Sequence, residues 1–212
     1  SYILMVGQES LKGSAISYKS LTVMAEKRKK TESTSQCQQD LCVLEIFNKP
    51  GIYLDIGCRE PIKHSNTYLL EQIGWGGVCI DREEFNFSER SCTYIVGDAM
   101  EVIRTLDNKE YDYISLDIDC NTNDALDSII KNKITFKFLT IEHDIYRLPE
   151  SFRAYQRSVL YDNGYKPLFL NIQPNWDYNI VFEDWWYDPK ASLPIIKELE
   201  NLNVLGSSYR PS

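Results

Sequence analysis

The sequence predicts a doubly wound α/β fold: a mostly parallel sheet of seven strands, helices on both faces, the last strand antiparallel. Three observations predict it. Short apolar runs rich in Ile, Val, Leu and Tyr alternate with amphipathic stretches of helical period from about residue 38 onward. Turn signals such as Asn48-Lys49-Pro50-Gly51 and Asn163-Gly164 separate them. Most of the predicted strands end in an acidic residue, always at the same end.

Taken in order, Gln38 to Phe47 carries Leu41, Cys42, Leu44 and Phe47 on one helical face. Ile52 to Gly57 reads as a short buried strand, Ile62 to Ile73 as a helix stopped by Gly74, and Gly77 to Asp81 as a second strand. Cys92 to Asp98 is the third strand, and Ala99, Val102, Ile103 and Leu106 mark a helix after it. Tyr113 to Asp117 is the fourth strand. A short helix carries Ala125, Leu126, Ile129 and Ile130, and Phe136 to Glu142 is the fifth strand. A helix over Glu150 to Tyr161 turns Phe152, Tyr155 and Val159 inward. Lys166–Ile172 and Tyr178–Phe182 then form a closing hairpin around Pro174-Asn175. Strands alternating with helices require a sheet covered on both sides.

With 212 residues, 43% hydrophobic and 25% charged, the chain has the composition of one globular domain. Residues 1–36 read as an N-terminal extension and 37–212 as a single domain. Within the extension, Lys27-Arg28-Lys29-Lys30 and the polar run to Gln36 read as a solvated, mobile linker. No apolar run reaches the length of a membrane span, and Ser1 to Val6 lacks a basic flank and a cleavage site. A membrane partner is therefore not expected. The net charge of −8 argues against a phosphate backbone as partner. Six scattered cysteines with no C-x-x-C pair read as reduced thiols, placing the protein in the cytoplasm or another reducing compartment. A homo-oligomer is compatible with all of this.

Sheets of this kind bind ligands outside the carboxyl ends of their strands. Those ends read Asp55-Ile56-Gly57, Asp81, Gly97-Asp98, Asp117 and Glu142-His143. Gly57 would let backbone approach a cofactor closely. Asp81 could grip ribose hydroxyls or cap the following turn. Asp98 could meet an adenine amino group or cap the helix at Ala99, and the two are compatible.

These strings resemble class I S-adenosylmethionine-dependent methyltransferases, a Rossmann-like group, and within it the FkbM-like family. The resemblance runs from Gly51 to about Phe182. It is carried by Tyr53-Leu54-Asp55-Ile56-Gly57, Ser65-Asn66-Thr67, Gly74-Trp75-Gly76-Gly77-Val78, Tyr111 to Asp119 and Thr140-Ile141-Glu142-His143. It implies S-adenosylmethionine as cofactor. Asp55, Gly57, Ser65, Asn66 and Thr67 would lie near its amino-acid end, Asp81 on the ribose, and Gly97, Asp98 and Ala99 at the adenine, with Asp117 beside them. It also implies O-methylation of a sugar or glycan hydroxyl. One departure stands out: Cys58-Arg59-Glu60-Pro61 occupies the place of a second glycine, and proline's fixed φ sends that loop along another path.

A hydroxyl acceptor must lose its proton, to a base or under the influence of a metal. Candidate catalytic residues are His143, Asp117, Asp119 and Glu142. His143 has an ordinary pKa suited to base work. Asp117, Glu142 and His143 also resemble the divalent-cation site of related sugar methyltransferases, so Mg²⁺ or another divalent ion is a second expected cofactor. Trp176, Trp185, Trp186 and Tyr187 are expected to stack on a sugar as a lid, with Tyr146 and Arg147 as further rim residues. Two alternatives stay open. One is a nucleic-acid cap 2′-O-methyltransferase, for which Lys63, Asp117, Lys133 and Glu142 fall in the order of a Lys-Asp-Lys-Glu tetrad. The other is a non-catalytic binding protein on the same fold.

Overall fold

The computed structural model describes residues 32–174, 177, 179–201 and 205–208. The reading of residues 1–31 and of Trp176 lies outside the described residues. In chain order the elements are α1 (Gln39–Ile46), β1 (Ile52–Ile56), α2 (Tyr68–Glu71), β2 (Gly76–Asp81), β3 (Thr93–Val96), α3 (Ala99–Thr105), β4 (Glu110–Leu116), a 3₁₀ turn (Asp119–Asn121), α4 (Thr122–Lys131), β5 (Thr135–Glu142), α5 (Glu150–Asp162), β6 (Lys166–Ile172), β7 (Glu183–Tyr187), α6 (Pro194–Asn201) and β8 (Ser207–Ser208).

Seven strands form one sheet in the order β3-β2-β1-β4-β5-β7-β6, and the two-residue β8 adds to the β6 edge. Strands β1 to β5 pair in parallel, while β7 runs antiparallel to both neighbours. The chain leaves β1 toward β2 and β3, then returns to build β4 and β5 on the other side of β1. The switch point of the sheet is therefore the β1–β4 seam.

The strand side chains alternate between two cores. Tyr53, Tyr113, Phe138 and Trp185 face α1, α2 and α6, meeting Val43, Leu44, Leu70 and Ile196. Leu54, Ile114, Leu139 and Trp186 face α3, α4 and α5, meeting Ile103, Leu126, Ile129 and Leu160. This period-two partition makes the sheet a middle layer. No helix among the described residues is long and apolar enough to cross a membrane.

Three local expectations change. The helix expected over 62–73 forms only at Tyr68–Glu71. His64 takes a left-handed φ of 59°, and Ser65 Oγ accepts the N–H groups of Thr67 (3.3 Å) and Tyr68 (3.0 Å), so the helix starts late. The last strand lies at Glu183–Tyr187 rather than 178–182, paired along β5 from Phe138↔Tyr187 to Glu142↔Glu183. The segment before α1 is not a free linker. Buried Asp40 accepts hydrogen bonds from Ser33 Oγ, Ser35 Oγ and the Thr34 N–H, and Thr34 Oγ1 donates to the Ser65 carbonyl at 2.8 Å.

Candidate functional site

A cleft of about 700 Å³ lies over the carboxyl ends of β1, β2, β4 and β5, at the switch point. Its walls include Asp55 and Gly57 after β1, Asp81 at the end of β2, Gly97 and Ala99 after β3, Asp117 and Asp119 after β4, and Glu142 at the end of β5. Five strand ends that sequence separates by up to 87 positions thus share one cavity.

Gly57 has a φ of +88°, and a Cβ there would sit 1.7 Å from the Asp117 carbonyl oxygen. The seam forces this contact: Gly57 N–H donates to the Ile80 carbonyl at 2.9 Å and Asp117 N–H to the Ile56 carbonyl at 3.0 Å. Only glycine fits both the conformation and the space.

Asp55 is buried at 3% exposure and accepts a 2.7 Å hydrogen bond from Thr67 Oγ1. Burial pushes its carboxyl up to about 6, against the opposing pull of Thr67 and of the Arg90 charge. Arg90, a residue sequence reasoning passed over, organises this wall. It pairs with Glu71 at 2.7 Å with both side chains buried, and it donates to Thr67 Oγ1 (2.9 Å), Ser65 Oγ (3.2 Å), Tyr53 Oη (3.2 Å) and the Pro61 carbonyl (2.6 Å). Ser65 and Thr67 belong to this web, under the cleft and not on its surface. Of the Ser65-Asn66-Thr67 run only Asn66 lines the cleft. Its Nδ2 donates to Ser115 Oγ at 2.9 Å, and its Oδ1 is buried without a partner.

Asp81 accepts from the Arg59 N–H at 2.8 Å and from the Glu83 N–H at 2.9 Å. It therefore anchors the loop that departs from the family pattern. Arg59 adopts a left-handed φ of 45° in this loop. Asp81 also lines the cleft. Asp98 is the N-cap of α3, accepting from Met100 N–H (3.0 Å) and Glu101 N–H (3.3 Å), and it also meets Arg82 at 3.2 Å. Its capping role is what the structure displays. The cleft surface at this position comes from Gly97, Ala99 and Met100.

At the other end of the cleft the carboxylates crowd. Oxygen atoms of Asp119, Glu142 and Asp144 lie within 4.8 Å of one another, and the Asp117 charge bears on Glu142. Glu142 Oε2 and Asp144 Oδ1 are buried without partners, while Asp119 and Asp144 take left-handed φ values of 55° and 48°. Burial first, and then the Asp117 charge, drives the Glu142 carboxyl far above its ordinary range; burial also raises Asp117. Arg147 bonds to Asp119 and Asp144 at the rim. Where Asp117, Glu142 and His143 are the expected cation ligands, the carboxylates whose oxygens converge are thus Asp119, Glu142 and Asp144. These are all oxygen donors, as a hard cation prefers.

His143 does not reach the cleft. Its side chain is fully buried, with Nε2 3.6 Å from Asp184 Oδ1. Asp184 is itself held by Arg157 at 2.7 and 3.0 Å. Successive strand residues point to opposite faces, so Glu142 and His143 diverge where β5 ends. The aromatic lid is corrected for the same reason. Trp185 and Trp186 are 0% exposed and Tyr187 2%, because they form β7 and fill the two cores. The aromatic side chains that do line the cleft are Tyr146 and Phe182. A run of five aromatic and acidic residues reads as a strand once Trp and Tyr are credited with their β propensity. Lys133 precedes β5 and Glu142 ends it, so the seven residue steps of that strand, about 23 Å at ~3.3 Å each, separate them. The Lys-Asp-Lys-Glu tetrad is therefore not assembled.

No protein-family model and no curated protein matches the chain. Solved structures do. Monomeric WbdD matches at 15% identity with a TM-score of 0.50, over 76% of this chain and 42% of that one. A putative SAM-dependent methyltransferase from Streptococcus mutans matches at 9% identity and 0.53, over 74% and 49%. A putative caffeoyl-CoA O-methyltransferase from Staphylococcus aureus matches at 15% and 0.52, over 82% and 92%. The chain spans less than half the length of the first two. At these identities the likeness is one of architecture, and the conclusion is correspondingly plain: the chain has the Rossmann-like fold that these methyltransferases share.

Proposed function

We propose that the protein binds S-adenosylmethionine in the switch-point cleft and transfers its methyl group to a hydroxyl oxygen of a sugar or glycan acceptor. The observation that carries this reading is the convergence of Asp55, Gly57, Asn66, Asp81, Gly97, Ala99 and Asp117 on one cavity at the β1–β4 seam. The orphaned Asn66 Oδ1 and the Asp55 carboxylate suit an ammonium group, Asp81 suits a ribose diol, and the glycine and alanine surface after β3 suits a flat base.

When bound, the cofactor supplies an electrophilic methyl carbon on a sulfonium. Asp119, Glu142 and Asp144 are the residues that would hold a divalent cation, which would supply positive charge to make a neighbouring hydroxyl more acidic. The chain's own part is to bind, orient and accept a proton. Asp117 sits between the cofactor wall and the acid cluster, and its raised pKa makes it the best-placed proton acceptor in place of His143. Tyr146 and Phe182 offer apolar faces to an acceptor ring, the role first assigned to the tryptophans. The acceptor class rests on the FkbM-like resemblance.

The test is calorimetry with S-adenosylmethionine, followed by turnover against a panel of sugars and glycans with and without EDTA. One-to-one binding and EDTA-sensitive release of S-adenosylhomocysteine with a hydroxylated acceptor are expected. Cofactor binding without turnover on any acceptor would favour the non-catalytic alternative.

A further inference from the structure

Arg147 follows β5 by five residues, and the chain brings it back over the site in one tight turn. Its N–H and that of Leu148 both donate to the Asp144 carbonyl at 2.8 Å. The guanidinium then folds onto the acid cluster. Nε meets Asp144 Oδ2 at 2.6 Å, and Nη2 bonds to both Asp144 Oδ2 and Asp119 Oδ1. Arg147 is the basic side chain bonded to this cluster among the described residues, and it is 46% exposed. Asp144 is 1% exposed by contrast.

The guanidinium covers only part of the cluster. Glu142 Oε2 and Asp144 Oδ1, both buried, remain without partners. Three clustered carboxyl groups thus meet one organic cation that satisfies two of their oxygens, Asp144 Oδ2 and Asp119 Oδ1. A compact divalent ion would gather oxygens of Asp119, Glu142 and Asp144 together, as their mutual spacing within 4.8 Å allows. It would compete with the guanidinium for the same oxygens of Asp119 and Asp144, and the two positive charges would repel at that range.

We propose that Arg147 is an intramolecular counter-ion occupying the divalent-cation seat, so that metal binding is coupled to its release from Asp119 and Asp144. Arg147 also straps the loop after β4 to the loop after β5, since its two carboxylate partners come one from each. Metal binding would then replace this strap, since the ion would take the same Asp119 and Asp144 oxygens, one from each loop. By linkage the coupling is reciprocal: what holds Arg147 in place weakens the metal, and removing Arg147 strengthens it. The inference rests on the cation site of the proposed function, but not on methyl transfer.

The experiment is Mn²⁺ titration of the full chain, with free Mn²⁺ read by electron paramagnetic resonance. Wild type, Arg147→Gln, Arg147→Lys and Glu142→Gln are compared, each checked for folding by circular dichroism. Arg147→Gln is expected to bind Mn²⁺ at least about tenfold more tightly than wild type, within the range of ordinary coupling energies. Arg147→Lys, which keeps the charge, should fall between them, and Glu142→Gln should lose the site. Equal or weaker Mn²⁺ affinity in Arg147→Gln overturns the proposal, as does an affinity indifferent to Glu142→Gln or a failure of every variant to bind. The cofactor reading is tested separately by titrating metal-free wild type with S-adenosylmethionine. Loss of that binding would sink the methyltransferase reading and leave the Mn²⁺ comparison standing.

Discussion

At the scale of single residues, the cleft is shaped by two demands that oppose each other. Asp55 is buried, and its carboxyl is pushed up to about 6, so the folded state holds a proton that the unfolded chain releases near 3.9. The stabilising contribution is complete below about pH 4 and is lost as pH rises through about 6, with a total on the order of 3 kcal/mol. A cationic ligand group has the opposite preference and favours the ionised carboxylate. Stability should therefore fall from pH 4 to 7 while S-adenosylmethionine affinity rises, and Asp55→Asn should flatten both curves. Urea denaturation and calorimetry across that range check the two slopes. Gly57→Ala should abolish cofactor binding and cost at least about 2 kcal/mol, since both its φ and its distance to the Asp117 carbonyl forbid a methyl; binding within twofold of wild type would contradict this. Asp55, Gly57 and Asp81 were legible in the sequence because a strand's end is where such folds place ligand groups. Asp98 was legible only in part, since its capping and binding roles predict the same residue. His143 was misread because a strand-end pair sends its two side chains opposite ways, and the sequence does not say which enters the cleft.

At the scale of elements, the wall behind Asp55 depends on a residue from a loop. Arg90 precedes β3 and bonds to Glu71 at the end of α2, to Thr67 and Ser65 before that helix, and to Tyr53 on β1. Arg90→Met leaves the buried Glu71 carboxylate without its cationic partner, held by Tyr53 and Ser91. It should destabilise the fold by about 3–5 kcal/mol, and Arg90→Met with Glu71→Leu should recover part of that loss in chemical denaturation. A cost below 1 kcal/mol for the single variant would show that the web is not structural. Nothing in the local pattern marks Arg90, because its partners come from four separate stretches of chain. β7 offers the contrary lesson. Its Trp185-Trp186 pair suggested a stacking surface, but Phe138, Phe169 and Tyr161 already pack around those rings. Trp185→Ala should cost about 3–5 kcal/mol, the loss typical of a core aromatic, whereas a lid residue would leave the midpoint unchanged.

At the scale of the whole molecule, the alternation of strands and helices was enough to fix a sheet with two covered faces, because a period of two along each strand sorts side chains between exactly two layers. The element order was legible for the same reason. What alternation could not give was the position of β7, whose acids Glu183 and Asp184 read as loop residues until Gln39, Trp185 and Arg157 are seen to satisfy them. The carboxylates that converge, Asp119, Glu142 and Asp144, lie one or two positions from two of the residues expected to do so, Asp117 and His143, and Asp119 and Asp144 both sit in left-handed turns. The chain's fold therefore delivers one cleft at the switch point, lined by Asp55, Gly57 and Asp81 and by the acids Asp117, Asp119 and Glu142, and the proposed function needs that cleft to hold S-adenosylmethionine. Titration calorimetry of the wild-type chain with S-adenosylmethionine at pH 7.5, beside Gly57→Ala, tests that claim most directly. The account predicts one-to-one binding by the wild type that Gly57→Ala abolishes; no heat of binding with folded wild-type protein would contradict it.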